Sequence, residues 1–332
     1  MPLRRVFQNI FIAAAFLLAS AGASAQVSYT ISTRNGVSRI RESQLSDDIE
    51  FLSGERCAGR KTGTQGNFVA AAMISSRFSS LGMKPFGESF TLTFETSEGS
   101  SGRNIAGFFP GSGDGYVIVG ASFDGLGVFD GTLYPGADCN ASGVSAMLAI
   151  GEAIHYMNSL GRTFSRNIIL VAFDARQLNL AGSGAFMKVL ADGRLVNPVS
   201  GKTVLPRDVS LMVNLDQLGS VTVPFGSRPD YLIMLSAGTD GSSRSALLSA
   251  NREDGTGLDI AFDYYGSKDF TRLFFTRICD QRAFLESGIR SVMFTSGITL
   301  NNNKSTDTLS TIDIPTLRKR VVLIYYWLSR YI

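Results

Sequence analysis

The sequence predicts an α/β protein, a three-layer α/β/α sandwich built on a mostly parallel mixed sheet. Two continuous apolar runs, 167–173 (NIILVAF) and 209–215 (VSLMVNL), have the composition of strands covered on both faces. Segments with helical spacing lie before, between and after these runs, at 144–157, 180–190 and 245–250. Strands alternating with helices imply crossover connections and hence a largely parallel sheet with helices on either side.

The elements follow in chain order. Arg4 and Arg5 precede a short apolar run at 10–18, and Ala23-Ser24-Ala25 forms a small-x-small site before Gln26. Residues 1–25 are therefore expected to be a secretory signal peptide, too short to span a bilayer. Residues 26–44 form an N-terminal extension, and 45–332 a single domain, for which about 307 residues after the signal suffice. Helices are expected at 47–52 and 67–81; Gly82 stops the second. A strand meander comes next, at 89–96, 104–109 and 116–121, with Gly111 to Gly115 turning between the last two. Strands at 231–235 and 291–295 continue the β/α alternation. A helix at 314–332 closes the chain, with Leu317, Val321, Ile324, Tyr325 and Leu328 on one side.

Composition narrows the function. The net charge of +3 falls to about +1 without Arg4 and Arg5, which offers nothing to nucleic acid or to an anionic membrane. No segment after the leader approaches the length of a membrane span. An exported chain resides in the periplasm or outside the cell. There, one pair among Cys57, Cys139 and Cys279 could form a disulfide. His155 is the single histidine, and it reads as a packed helix residue in line with Leu148 and Gly151. Histidine is the commonest zinc ligand and the usual general base, so its scarcity weighs against most metallohydrolase sites.

Ligands of open α/β sheets bind beyond the carboxyl ends of the strands. The residues there are Ser122-Phe123-Asp124, Asp174-Ala175-Arg176-Gln177 and Asp216, joined by Asp138-Cys139-Asn140 before the helix that starts near Ala141. Carboxylates so close to a core need partners. Turn chemistry accounts for Asp138, a small buried filler for Cys139, and core packing for Tyr264-Tyr265 and Phe274-Phe275.

These segments, in this order, resemble metallopeptidase family 28, the family of secreted di-zinc aminopeptidases and glutaminyl cyclases. The resemblance rests on 51–53 with 59–67 (GRKTGTQGN), then 104–110, 120–127, 136–144, 170–183, 213–219, 279–284 and Ser305-Thr306-Asp307-Thr308. It implies a zinc-aminopeptidase-like fold. In the family, a carboxylate bridges two zinc ions that two histidines and further carboxylates complete; the metals acidify a shared water and a glutamate takes its proton.

Carried over residue by residue, the resemblance implies a degenerate site. The first zinc histidine is Ser122, although Asp124, its usual orienting partner, remains. The bridging aspartate is Cys139. The paired glutamates, base then ligand, are Arg176 and Gln177, and the last histidine aligns with Asn303. Asp216 alone is a retained ligand. No zinc or other cofactor is expected, because a guanidinium at the base position repels divalent ions. Arg176 is expected to pair with Asp216 and stand in for the lost metal charge. The chain is thus expected to be catalytically inactive, its cleft kept for binding or scaffolding, with a peptide or small carboxylate as the candidate ligand. The alternative is an active exopeptidase or amidohydrolase with a non-standard metal site.

Overall fold

The computed structural model describes residues 32–221, 230–237, 240–264 and 266–332; the expected leader and Tyr265 lie outside them. Residues 33–332 form one compact unit. Among the described residues nine strands make one sheet: β1 (Lys84–Pro85), β2 (Thr91–Glu95), β3 (Ser101–Phe109), β4 (Tyr116–Ser122), β7 (Asn167–Phe173), β8 (Val209–Leu215), β9 (Tyr231–Ser236), β10 (Asp259–Ala261) and β11 (Ser291–Thr295). A separate hairpin joins β5 (Gly127–Phe129) to β6 (Thr132–Tyr134). The order across the sheet is β1-β3-β7-β4-β8-β11-β9-β10, with β2 also paired to β3. The central strands β7, β4, β8 and β11 run parallel, while β3 and β9 add antiparallel on the two sides. The expected meander is thus corrected. β3 and β4 are consecutive but not neighbours, because β7 lies between them.

The connection from β3 to β4 crosses the start of β7, and the glycines of 111–115 allow that crossing. A Cβ on Gly111 would come within 2.3 Å of the Arg166 backbone. Asn167 pins the loop, accepting from the Gly111 N–H at 3.1 Å and donating to the Gly113 carbonyl at 2.9 Å.

Helices cover both faces: α1 (Glu42–Ser53), α2 (Gln65–Ser80), α3 (Ser142–Ser159), α4 (Ala181–Ala191), α5 (Gly241–Glu253), α6 (Lys268–Arg277), α7 (Gln281–Glu286) and α8 (Ile314–Leu328). Alternate side chains of β7 explain why its run is apolar throughout. Ile169, Val171 and Phe173 join Phe186 of α4 and Phe284 of α7 in one core, while Leu170 approaches Gly151 of α3. Such two-sided burial removes the polar alternation of a half-exposed strand. The closing helix α8 is buried on more than the expected stripe. Arg320, Val322, Leu323 and Trp327 are also enclosed. Arg320 survives there by donating to the carbonyls of Leu218, Ser220 and Tyr231 at 2.7–2.9 Å.

Register then positions the site. Ser122 lies opposite Phe173, and Gly120 lies opposite Asn214, so β4, β7 and β8 end level with one another. Asp124, Asp174 to Gln177, and Asp216 consequently leave the sheet at one edge.

Candidate functional site

Two buried polar hubs hold the strand-end loops. Arg60, fully buried, donates to the carbonyls of Phe123, Pro135 and Gly136 at 2.7–2.8 Å, and also to that of Leu52. This single guanidinium ties the segment after β4 to the chain leading into α3. Asp174, also fully buried, accepts from Thr62 Oγ1, Asn67 Nδ2 and the Ala175 and Arg103 N–H groups at 2.8–3.0 Å. The Gly-Arg-Lys-Thr-Gly stretch thus builds the platform beneath the cleft and takes no direct place in it.

At the strand ends, Asp124 accepts from the Arg176 and Gln177 N–H groups at 3.0 and 3.1 Å, clamping the loop after β7 to the loop after β4. Burial, reinforced by the neighbouring Asp174 charge, pushes its carboxyl up to about 7 despite those two donors. Asn140 plays the equivalent part between β4, β8 and α3. Its Nδ2 donates to the Ser122 and Leu215 carbonyls, and its Oδ1 accepts from the Gly143 and Gln217 N–H groups. Ser122 is buried against Asn140 Nδ2 at 3.4 Å and does not line the cavity. Asp138, for which turn chemistry was expected, is a buried anchor: its Oδ1 accepts from Ser142 Oγ at 2.9 Å and the Gly219 N–H at 2.7 Å.

The centre of the site is an ion pair. Arg176 Nη1 and Nη2 donate to Asp216 Oδ1 and Oδ2 at 2.8 and 2.7 Å, a fork-to-fork arrangement. The Asp216 side chain is 2 % exposed and that of Arg176 12 %. Burial alone would lower the guanidinium pKa, but the Asp216 charge outweighs it and holds the pKa well above its ordinary value. Cys279 completes the shell, its thiol 3.4 Å from Asp216 Oδ2. Asp280, next along the chain, is buried with one oxygen unpartnered, and desolvation raises it to about 6.

Above this pair opens a cavity of about 360 Å³. Cys139, Arg176, Gln177 and Asn303 line it, so four of the candidate positions expected from the sequence meet in one cleft, with Asp216 reached through Arg176. Cys139 Sγ is 3.7 Å from Asn303 Oδ1. Burial pushes the Cys139 thiol up to about 12 even with Arg176 nearby. The Asp307 carboxylate receives the Asp138 and Cys139 N–H groups at 2.8 and 3.0 Å. Cys57, Cys139 and Cys279 are buried and free, so none of the disulfides considered is present. His155 instead borders a separate surface groove with Gly82 and Arg162.

Several residues at the cleft escaped the sequence reading. Gln217 donates to Asn302 Oδ1 at 2.7 Å across the floor, and its position beside Asp216 was the available signal. Cys279 belongs to a recognised segment whose role against Asp216 only the fold reveals. Phe274, expected to be core, is 6 % exposed yet forms part of the cavity wall beside Arg277 and Ile278; no motif pointed to these last two. The backbone is unusual here too. Ala175, Asn179, Leu180, Gln217 and Asn303 all have φ between 54° and 61°. Left-handed conformation costs a non-glycine residue about 1–2 kcal/mol.

Among the described residues no group of three His, Cys, Asp or Glu side chains is placed to hold a metal ion. None of those residue types occurs outside the described residues.

A parallel-centred α/β/α sandwich with this cleft at its strand ends has the fold of zinc aminopeptidases and glutaminyl cyclases. LapB from Legionella pneumophila superposes with a TM-score of 0.66 at 17 % identity, over 96 % of this chain and 81 % of that one. BSAP, a zinc aminopeptidase from Bacillus subtilis, gives 0.65 at 14 % identity, over 88 % and 95 % of the two chains. The glutaminyl cyclase of Porphyromonas gingivalis gives 0.62 at 16 % identity, over 88 % and 99 %. A sequence search of curated proteins found no match. Residues 104–328 match Peptidase family M28, and the chain belongs to that family.

Proposed function

We propose that this chain is an exported, catalytically inactive member of Peptidase family M28 that binds no zinc and keeps its cleft as a binding or scaffolding surface. The observation that carries this reading is the bidentate contact of Arg176 with Asp216. A divalent ion at Asp216 would need the oxygens that the guanidinium already occupies, and would sit against a permanent positive charge. The other donors around it do not offer a zinc shell: Ser122 is engaged by Asn140, the Cys139 thiol is held protonated, and Gln177 and Asn303 are neutral amides. Among the described residues that line the cavity there is no histidine or carboxylate to act as general base.

The left-handed residues around the cleft support a retained role for its shape. Conformations of this kind persist where the surroundings over-determine them, and they cluster at ligand sites. Export rests on the leader-like residues 1–25 and the Ala23-Ser24-Ala25 site. No helix among the described residues is long and apolar enough to cross a membrane.

The test is hydrolysis of aminoacyl amides and cyclisation of N-terminal glutamine by the purified chain, with and without zinc. The expected result is no turnover above buffer. Chelator-sensitive turnover that disappears in Asp216→Ala would falsify the reading. Export is checked by sequencing the chain recovered outside the cytoplasm, which should begin at Gln26.

A further inference from the structure

The cleft has not merely lost its metal ligands; its polarity has changed. Arg176, Gln177, Asn179, Gln217, Asn302 and Asn303 supply its polar lining, with Arg277 at the wall formed by the end of α6. Among the described residues no carboxylate lines this cavity. The acids nearby are withdrawn: Asp216 is capped by Arg176, Asp124 by two backbone N–H groups, and Asp307 by two more. A ligand entering with an ammonium group would therefore meet hydrogen-bond donors and positive charge.

Donors, by contrast, are in surplus. Arg176 has five N–H groups, of which two are used by Asp216, and its guanidinium makes no other hydrogen bond among the described residues. The Arg277 guanidinium has neither an ion pair nor a hydrogen bond among the described residues, and the residue is exposed. Lys304, exposed, borders the narrow slot that shares Cys139, Gln177 and Asn303 with the main cavity, and Asp307, its carboxylate engaged by two backbone N–H groups, lines the same slot. Beside these donors the wall is apolar: Leu180, Phe274, Ile278 and Ile298. Ile278 is 45 % exposed, and Leu273, one helical turn before Arg277, is 54 % exposed, so the apolar surface runs outward from the cavity.

We infer that the cleft binds a carboxylate attached to an apolar body, with Arg277 as the anion-recognising residue. This rests on the non-catalytic reading of the same site. Arg277 supplies the uncompensated charge and a planar donor fork suited to carboxylate. The spare N–H groups of Arg176 and the side-chain amides supply further donors, and Phe274 and Ile278 receive the apolar part. A volume of about 360 Å³ suits a ligand end or a small acid. Two sources share this chemistry, the C-terminus of a peptide and a free N-acylated amino acid, and separate arms of the test distinguish them.

The test is calorimetric titration of the purified chain with N-acetyl-Ala-Ala-Leu, its C-terminal carboxamide, and N-acetyl-leucine. The acid tripeptide is expected to bind roughly tenfold to a hundredfold more tightly than the carboxamide, the usual range for a charge-assisted contact. Arg277→Gln should abolish that preference while leaving the melting temperature unchanged, because the side chain is exposed. If N-acetyl-leucine matches the tripeptide acid, the source is a small acid; if it is much weaker, the source is a peptide end. Equal affinity for acid and carboxamide, a preference that survives Arg277→Gln, or no binding of either acid overturns the inference. Mass spectrometry of the same samples, together with the turnover assay above, keeps the two claims apart. Cleaved or cyclised substrate defeats the non-catalytic reading, whereas intact peptide without carboxylate preference defeats only the ligand assignment.

Discussion

Replacing Arg176 with methionine should expose how much of the cleft depends on its partner. A bidentate pair with charge centres about 4 Å apart attracts by about 4 kcal/mol at an effective dielectric of 20. Desolvation of the two ions offsets most of this, so the pair contributes little net stability relative to neutral groups of similar size. The variants divide unevenly. Asp216 is 2 % exposed, and without Arg176 it retains only the Cys279 thiol at 3.4 Å. Arg176→Met should therefore cost about 3–5 kcal/mol, the penalty for leaving a buried charge alone. Arg176 itself is 12 % exposed and borders the cavity, where water can reach it. Asp216→Asn should accordingly cost less, about 1–3 kcal/mol. With both replaced, no charge is stranded and the loss should fall to about 1–2 kcal/mol, giving a coupling of about 4–5 kcal/mol. Urea melts of the wild type, the two single variants and the double variant measure the cycle, within a total stability of about 5–15 kcal/mol. Additive losses would refute the reasoning, because they would show that the two side chains do not sense one another in solution.

Two further outcomes follow from the buried groups. Burial raises Asp124 to about 7, and Asp48, Asp280 and Asp307 to about 6, so between pH 4 and 7 the folded chain holds more protons than the unfolded one. Their contribution to stability should therefore be fully present below about pH 4 and be lost as pH rises through 6 to 7. Asp48→Asn should flatten the curve by on the order of 2–3 kcal/mol, and thermal melts that rise steadily with pH would contradict this. Cys139 is pushed up to about 12, and Cys57 and Cys279 are raised by burial as well. Native protein at pH 7.5 should thus resist an aromatic disulfide reagent, with three thiols appearing only on unfolding; rapid labelling of one thiol in the native state would show that Cys139 is a reactive centre.

The parallel centre of the sheet was legible because burial on both faces leaves its mark directly in composition. The runs 167–173 and 209–215 were bounded to the residue. Placement of β7 between β3 and β4 was not legible, since a glycine-rich connection reads the same whether it turns a hairpin or crosses over a strand. The helix α6 also went unseen. Its sequence KDFTRLFFTR sets Phe270, Leu273 and Phe274 at helical spacing, but only Phe274 and Phe275 are buried, so the short apolar stripe reads equally as isolated core residues. At the site, the Arg176–Asp216 pair was legible through the family resemblance, which carries Arg176 to the strand-end position beside Asp216, where a buried carboxylate requires a partner. Arg277 did not follow, since its position at the cleft depends on how α6 turns into Cys279. The hubs Arg60 and Asp174 lay in recognised segments, but their roles depend on which carbonyls and N–H groups the folded loops present to them.

The most direct test of the claim that Arg176 has taken the place of metal is a crystal structure determined in millimolar zinc, with anomalous scattering recorded at the zinc edge. The expected map shows Arg176 still forked onto both oxygens of Asp216, with no zinc peak in the cleft. A zinc peak bound to Asp216, with the guanidinium swung out into the cavity, would contradict it.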